Sequence, residues 1–501
     1  MNLSPVNIKR KFFGLWEAPS DLSEGVARGS LLLFIERIVI RGLLFVKTVI
    51  LARILFPDDF GLFGMATMIL FVIDLLFQPG MGSAVVHEKE NIKKYLDSAW
   101  TVNVLRGLAL GLILFFFGAP LAGKFFHNEM VVPLARALSL SFFMGGFLNI
   151  GVTLLQKELR FNRIFFYDVI YVMTNVGALI GAALILRNTW ALLLGMLIAQ
   201  FADLVLSYIF HPFRPRICFN LKKSLHLFKF GKWIWFSSVV GFLVSQGDNL
   251  TVGRMLDPKD LGFYQVAFAL ATLPAVEIAK ALGSVLFPFY SKIQGDAGRL
   301  KDSFVRIARM IFFLTTPASF GLLALAPEAV SFVYSAKWLA MVPALYVLII
   351  CGFFKCLEFL LNPLFLGMGR PRIATLISFI QAAVMFALIV PLIRNFGLVG
   401  AAIAALSGIL AAQAVSFLTL KKTMDFGAIR FLKIIALPLF CSVLMLGLII
   451  ATKKVFAINN IFVFVAYVIF GAAVYFLSAL ALDKISGRHY YNSLVWIKEN
   501  I

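Results

Sequence analysis

Stretches of about twenty apolar residues recur along the whole chain, separated by short polar segments carrying proline, glycine or asparagine. A helix of about twenty residues crosses roughly 30 Å of hydrocarbon, so each stretch is a candidate membrane span. Fourteen such windows are read: 29–52, 60–82, 97–119, 131–155, 166–187, 189–211, 232–253, 261–289, 304–326, 341–367, 373–394, 397–420, 433–452 and 460–482. Between them stand breakers such as Pro57-Asp58-Asp59, Gly369-Arg370-Pro371 and Asn459-Asn460. A twelve-span alternative discards clean apolar windows after Lys421-Lys422 and is set aside. Residues 1–27 are polar and mixed, with no apolar run before position 30, so the first span is expected to act as its own insertion signal rather than as a cleaved peptide.

Composition agrees with this pattern. Of 501 residues, 61% are hydrophobic and 14% are charged, and the mean hydropathy is +0.92. A soluble globule carries about 25% charged residues, so the soluble, disordered and disulfide-scaffold classes are excluded. The four cysteines, Cys218, Cys351, Cys356 and Cys441, show no CxxC spacing and are expected to be packing residues. What remains to be placed is a net charge of +21.

Most of that charge reports orientation. With the N-terminus cytoplasmic, 29 Lys and Arg fall in cytoplasmic segments and 9 on the opposite side. Such a bias places both termini in the cytoplasm, with Trp100, Trp190, Trp233, Trp235 and Trp338 expected in the interfacial aromatic belts. The basic loop holding Arg214, Arg216, Lys222, Lys223, Lys229 and Lys232 suits anionic membrane lipids, and a juxtamembrane position argues against nucleic acid.

The chain also repeats. Residues 53–67 and 254–268 align at a shift of 201, with identities Arg53/Arg254, Leu55/Leu256, Pro57/Pro258, Asp59/Asp260, Gly61/Gly262 and Ala66/Ala267. Generic turn chemistry accounts for Pro and Gly alone, but not for six identities at equivalent topological positions. A weaker echo is Arg187-Asn188 and Arg394-Asn395. Six helices separate the copies, so both halves cross in the same sense, with a pseudo-two-fold axis along the membrane normal and a substrate path between them. The expected fold is an all-α polytopic membrane protein of about fourteen helices in two pseudo-symmetric six-helix lobes. Its parts are an N-terminal segment 1–27, lobes 28–211 and 232–420, a basic linker 212–231, helices 13 and 14 over 421–482, and a tail 483–501.

Eight cations lie inside the windows: Arg37, Arg41, Lys47, Arg106, Arg136, Lys280, Arg309 and Lys355. Acidic residues at depth include Glu36, Asp74, Asp168, Asp203, Asp248, Glu277 and Glu358. Charges at such depth are expected to face the bundle interior or a wet cavity. At 100° per residue Arg37 and Arg41 lie within about 40° of each other, with Glu36 and Lys47 about 80–100° to one side, so the first span reads as one wall of an aqueous cavity. The shift of 201 carries Lys47 onto Asp248, which suggests an extracytoplasmic gate pair; separate local partners for each are the alternative. Glu277/Lys280 and Lys355/Glu358 have the i, i+3 spacing of intrahelical pairs. Arg106, Arg136 and Arg309 lie near helix ends, where they can snorkel.

Two apparent motifs carry nothing. Gly118 to Lys124 satisfies G-x4-G-K, but Phe125 stands where a phosphate loop needs Ser or Thr. The five histidines are scattered, and no triad or metal cluster is readable, so neither an enzyme nor a cofactor is expected.

The stretches LARILFPDDFGLFGMATMI (51–69), LLQKELRFNRIFFYDVI (154–170), TWALLLGMLIAQ (189–200) and SQGDNLTVGRMLDPKDLGFYQVAFALATLP (245–274) together resemble the polysaccharide exporters of the multidrug/oligosaccharidyl-lipid/polysaccharide flippase superfamily, most of all the colanic-acid-type branch. The resemblance covers the first twelve helices, and the last two by hydropathy alone. It implies two six-helix lobes around a V-shaped cavity, and the flipping of an undecaprenyl-pyrophosphate-linked oligosaccharide (an exopolysaccharide or O-antigen repeat unit) to the outer leaflet of the cytoplasmic membrane. A polysaccharide polymerase is a further implied partner. A pyrophosphate head group calls for cationic, bidentate donors. Arg37, Arg41, Lys47 and Lys280 are therefore the candidate head-group residues, with Glu36, Asp74, Asp248 and Glu277 as counter-charges or proton or sodium couplers. A drug/cation antiporter, which needs an anionic cavity, and a lipid II flippase, which shares the cationic one, are the alternatives. A passive scaffold has no need of charges on so many spans.

Overall fold

The computed structural model describes residues 22–77, 93–157, 160–218, 221–486 and Tyr490. The chain divides into two compact units, Met1–Val239 and Val240–Ile501. Among the described residues the regular structure is helical throughout, and nine helices are long and apolar enough to cross a membrane. Every one of the fourteen expected windows falls at least partly on helix, although two of them share one continuous stretch.

The first unit holds α1 (Leu22–Ile54), α2 (Pro57–Leu76), α3 (Lys93–Ile113), α4 (Ala119–Phe126), α5 (Val131–Gly146), α6 (Val152–Lys157), α7 (Phe161–Leu186) and α8 (Thr189–Phe210). A π-helical turn, Leu114–Gly118, joins α3 to α4 without a loop. The G-x4-G-K segment is therefore helix and offers no phosphate-binding loop. The expected span 131–155 is interrupted: α5 ends at Gly146 and the chain turns before α6. Asn149 explains the break, because its buried amide donates to the carbonyls of His211 and Phe213 at 3.3 and 2.9 Å while its Oδ1 accepts from Gly151 N–H at 2.9 Å. Leu51 and Leu55 of the α1 end pack with Leu179, Ala183, Ala191 and Leu192.

The helix α9 (Leu221–Met255) runs across the boundary into the second unit. There follow α10 (Pro258–Lys292), α11 (Ala297–Ala324), α12 (Ala326–Ala329), α13 (Val342–Gly367), α14 (Pro371–Met424), α15 (Ala428–Val455) and α16 (Ile461–Ser486). The core of this unit is aromatic: Phe312 meets Phe353 and Phe431 edge-on at 5.4 and 5.2 Å, and Phe304 meets Phe426 at 5.3 Å. The last helix docks on α11 through Tyr475, whose hydroxyl donates to the Phe313 carbonyl at 2.7 Å. Trp338, expected at the interface, is instead fully buried against Phe263, and Trp100 is buried as well.

The stretch α14 is two helices. Its 54 residues would measure roughly 80 Å if straight, against about 30 Å of hydrocarbon. Gly397, at φ 54° and ψ −130°, breaks it into the two arms expected at 373–394 and 397–420. The arms fold back on each other: a Cβ on Gly408 would stand 2.7 Å from the Gln381 carbonyl, so only glycine permits this approach.

The repeat is visible in the backbone. Leu55 N–H donates to the Leu51 carbonyl and Leu256 N–H to that of Val252, both at 2.8 Å and 201 positions apart. Pro57 and Pro258 each open a helix at its first position, where proline's missing N–H costs nothing. Asp59 accepts from Phe56 N–H and from Thr189 Oγ1, both at 2.9 Å, and so ties the start of α2 to the start of α8.

Candidate functional site

Helix α1 places four of the expected residues. Arg37 and Arg41 are exposed, Lys47 is partly buried, and Glu36 is turned inward at 7% exposure. Lys47 donates to Asn175 Oδ1 of α7 at 3.2 Å. The inward Glu36 carboxylate lies beside Asp168 of α7. At the preceding position of α7, the Tyr167 hydroxyl donates to Asp203 of α8. The first unit thus has a cationic outer face on α1 and a carboxylate cluster behind it, built from three helices. Asp168 and Asp203 are visible in the sequence as acids at depth, but nothing in their spacing joins them to Glu36.

Asp74 has a different partner. Arg106 of α3 reaches it in an ion pair and also donates to the Phe77 carbonyl at 3.0 Å. The arginine therefore closes the C-terminal end of α2 rather than snorkelling away from it.

In the second unit Asp248 is 3% exposed, accepts from the Tyr264 hydroxyl at 2.8 Å and from Asn249 N–H at 2.8 Å, and feels the charge of Lys355. The two members of the expected gate pair accordingly have partners within their own units, Asn175 for Lys47 and Tyr264 for Asp248. Glu277 is partly buried on α10, and the Lys280 side chain lies outside the described residues. The Lys355/Glu358 spacing does not produce an ion pair: the Lys355 ammonium sits 5.1 Å from the Phe268 ring centroid. Arg136 lies over the Phe115 ring at 5.5 Å. No group of three His, Cys, Asp or Glu suited to a metal occurs among the described residues.

Against this geometry stand three comparisons. Residues 50–343 match the family described as "Polysaccharide biosynthesis protein". A lipopolysaccharide biosynthesis protein of Escherichia coli, WzxC, is 26% identical over 430 residues, 84% of this chain and 86% of that protein. A probable low-salt glycan biosynthesis flippase of Haloferax volcanii is 24% identical over 93% of this chain and 98% of its own. Among solved structures, a lipid II flippase in an inward closed conformation superposes with a TM-score of 0.74 at 20% identity, covering 90% of this chain and 99% of that one. At that identity the likeness is one of fold.

Proposed function

The chain belongs to the polysaccharide biosynthesis protein family, and on that premise we propose that it is a flippase that moves an undecaprenyl-pyrophosphate-linked oligosaccharide across the cytoplasmic membrane by alternating access. The observation that carries this reading is the pair Arg37 and Arg41, both exposed on α1 within the window 29–52 read from the sequence as a span. Two guanidinium groups on one side of a helix suit an anionic head group with bidentate oxygens, which is the substrate chemistry of this reading. Lys47 extends the cationic path along the same helix. Glu36, Asp74, Asp248 and Glu277 serve as counter-charges, of which Glu36 and Asp248 are buried.

The same observation disfavours a drug/cation antiporter. A cationic substrate calls for an anionic surface, whereas here the carboxylate of Glu36 is turned inward and the arginines outward. The protein lies in the inner membrane with both termini cytoplasmic, in line with the distribution of 29 and 9 loop cations. Translocation needs no bond made or broken, so the reading assigns no catalytic residue. A polysaccharide polymerase is the partner expected to consume the flipped substrate.

The test is Arg41→Glu in a host that depends on this chain for polymer export. Export is expected to fall at least tenfold at unchanged membrane abundance, and Arg41→Lys should retain more of it than Arg41→Ala. Full export by the charge-reversed protein would refute the head-group assignment.

A further inference from the structure

Arg136 belongs neither to the head-group face of α1 nor to the pair that closes α2. It stands exposed on α5, within the window 131–155 read from the sequence as a span. Arg106 on α3 is neutralised by Asp74, whereas no carboxylate reaches Arg136 among the described residues. Its guanidinium rests instead on the Phe115 ring, 5.5 Å from the centroid. A charge inside a span is a functional site whose partner has to be named.

The direction of the ring contact argues against snorkelling. A polar turn, His127-Asn128-Glu129, joins α4 to α5, and Arg136 follows it by about two helical turns, roughly 9 Å below. Phe115 precedes the same turn by about three helical turns of the continuous α3–α4 run, roughly 18 Å below. A side chain reaching from the first level toward the second points away from the polar turn, and a snorkelling arginine reaches toward it. The surface around the guanidinium is apolar. The π-helical turn sets Phe115, Phe116 and Phe117 outward in succession, and Leu140, one turn beyond Arg136 on α5, is exposed as well. Phe115 and Phe116 meet edge-on at 5.1 Å. Beneath this surface α3 and α5 are locked together: a Cβ on Gly107 would stand 2.5 Å from the Phe142 carbonyl. The face is therefore a firm platform with one unneutralised cation.

The depth of the guanidinium selects its anion. A lipid phosphate stays at head-group level, on the side from which Arg136 is turned away, whereas a carboxylate on a spanning helix can stand at any level. We infer that the exposed face of α3 and α5 docks a transmembrane helix of a partner protein bearing Asp or Glu near the middle of its span. The carboxylate accepts paired hydrogen bonds from Arg136, and polar contacts of this kind hold helices together where apolar surface gives no preference over lipid. Phe116 and Leu140 pack against the neighbouring turns of that helix. Neither Arg37 nor Arg41 takes part, so the docking face stands apart from the transport reading.

The probe is a synthetic single-span peptide of about twenty leucines and alanines with one central Glu and an acceptor fluorophore. The full-length protein carries the donor on Cys218, the exposed native thiol of the same unit, and both are reconstituted in phosphatidylcholine vesicles. Saturable energy transfer is expected with the Glu peptide, and association at least tenfold weaker with a Gln peptide. Arg136→Leu should weaken the Glu peptide to the Gln level, and Arg136→Lys should weaken it less. Arg136→Glu should lose the Glu peptide and gain one with a central Lys, a gain that also shows the variant to be folded. Equal transfer from Glu and Gln peptides would overturn the inference, as would undiminished binding by Arg136→Leu or failure of the Lys exchange. Displacement of the Glu peptide by added phosphatidylglycerol would overturn it too, and would assign Arg136 to a lipid head group. Arg41→Glu should bind the peptide as the unsubstituted protein does, so a failed export assay and a failed docking face are told apart.

Discussion

Arg106 illustrates what individual residues reveal and conceal. The sequence places it and Asp74 at depth, yet they are 32 positions apart on different helices, and only packing brings them together. Near a helix C-terminus the exposed carbonyls favour a cation, and the Phe77 carbonyl provides a second acceptor for the same guanidinium. Either partner left alone is a charge without its mate. Arg106→Ala and Asp74→Ala are each expected to cost about 1–3 kcal/mol, and the double variant less than their sum, measured as a double-mutant cycle of unfolding free energies. Strict additivity would show the pair to be uncoupled. The i, i+3 rule misleads at Lys355 and Glu358 for a related reason: the aromatic face of Phe268, on another helix, outcompetes a neighbour one turn away. Partner choice over long sequence separation is the part of the candidate sites that no spacing rule supplies.

Helix positions were far more legible, because an apolar window and a turn are local properties. Pro57 and Pro258 pre-set the backbone, Asp59 and Asp260 sit in the first turn where the helix dipole favours them, and the same hydrogen-bond register follows in both copies. Hydropathy misses the break that a single residue makes inside the window 131–155. Asn149 holds the break after α5 through three hydrogen bonds, two of them buried, and an apolar window gives no warning of it. At Gly397, just after Arg394-Asn395, the chain reverses in a tight turn, which is possible because glycine alone tolerates that backbone. Gly397→Ala is expected to destabilise by about 1–3 kcal/mol. Gly447→Ala, in the interior of α15 with nothing within 4 Å of the added Cβ, should be neutral or stabilising. Unfolding midpoints of the two variants side by side provide the check; equal effects would remove Gly397 from this role.

For the whole molecule, orientation is testable with the native cysteines. Cys218 is exposed in the basic segment after α8, whereas Cys351, Cys356 and Cys441 are buried. A membrane-impermeant maleimide should label one thiol in inverted vesicles and none in intact spheroplasts, and Cys218→Ser should abolish the signal. Labelling from outside would invert the topology. The reversal at Gly397 carries a further consequence, for biogenesis. With only Arg394, Asn395 and a tight turn between them, the two arms of α14 offer the translocon little hydrophilic chain to leave outside, so they are expected to enter the bilayer together as a helical hairpin. A truncation within the second arm then strands the first, and the close approach of Gly408 to the Gln381 backbone cannot form until the ribosome has passed it.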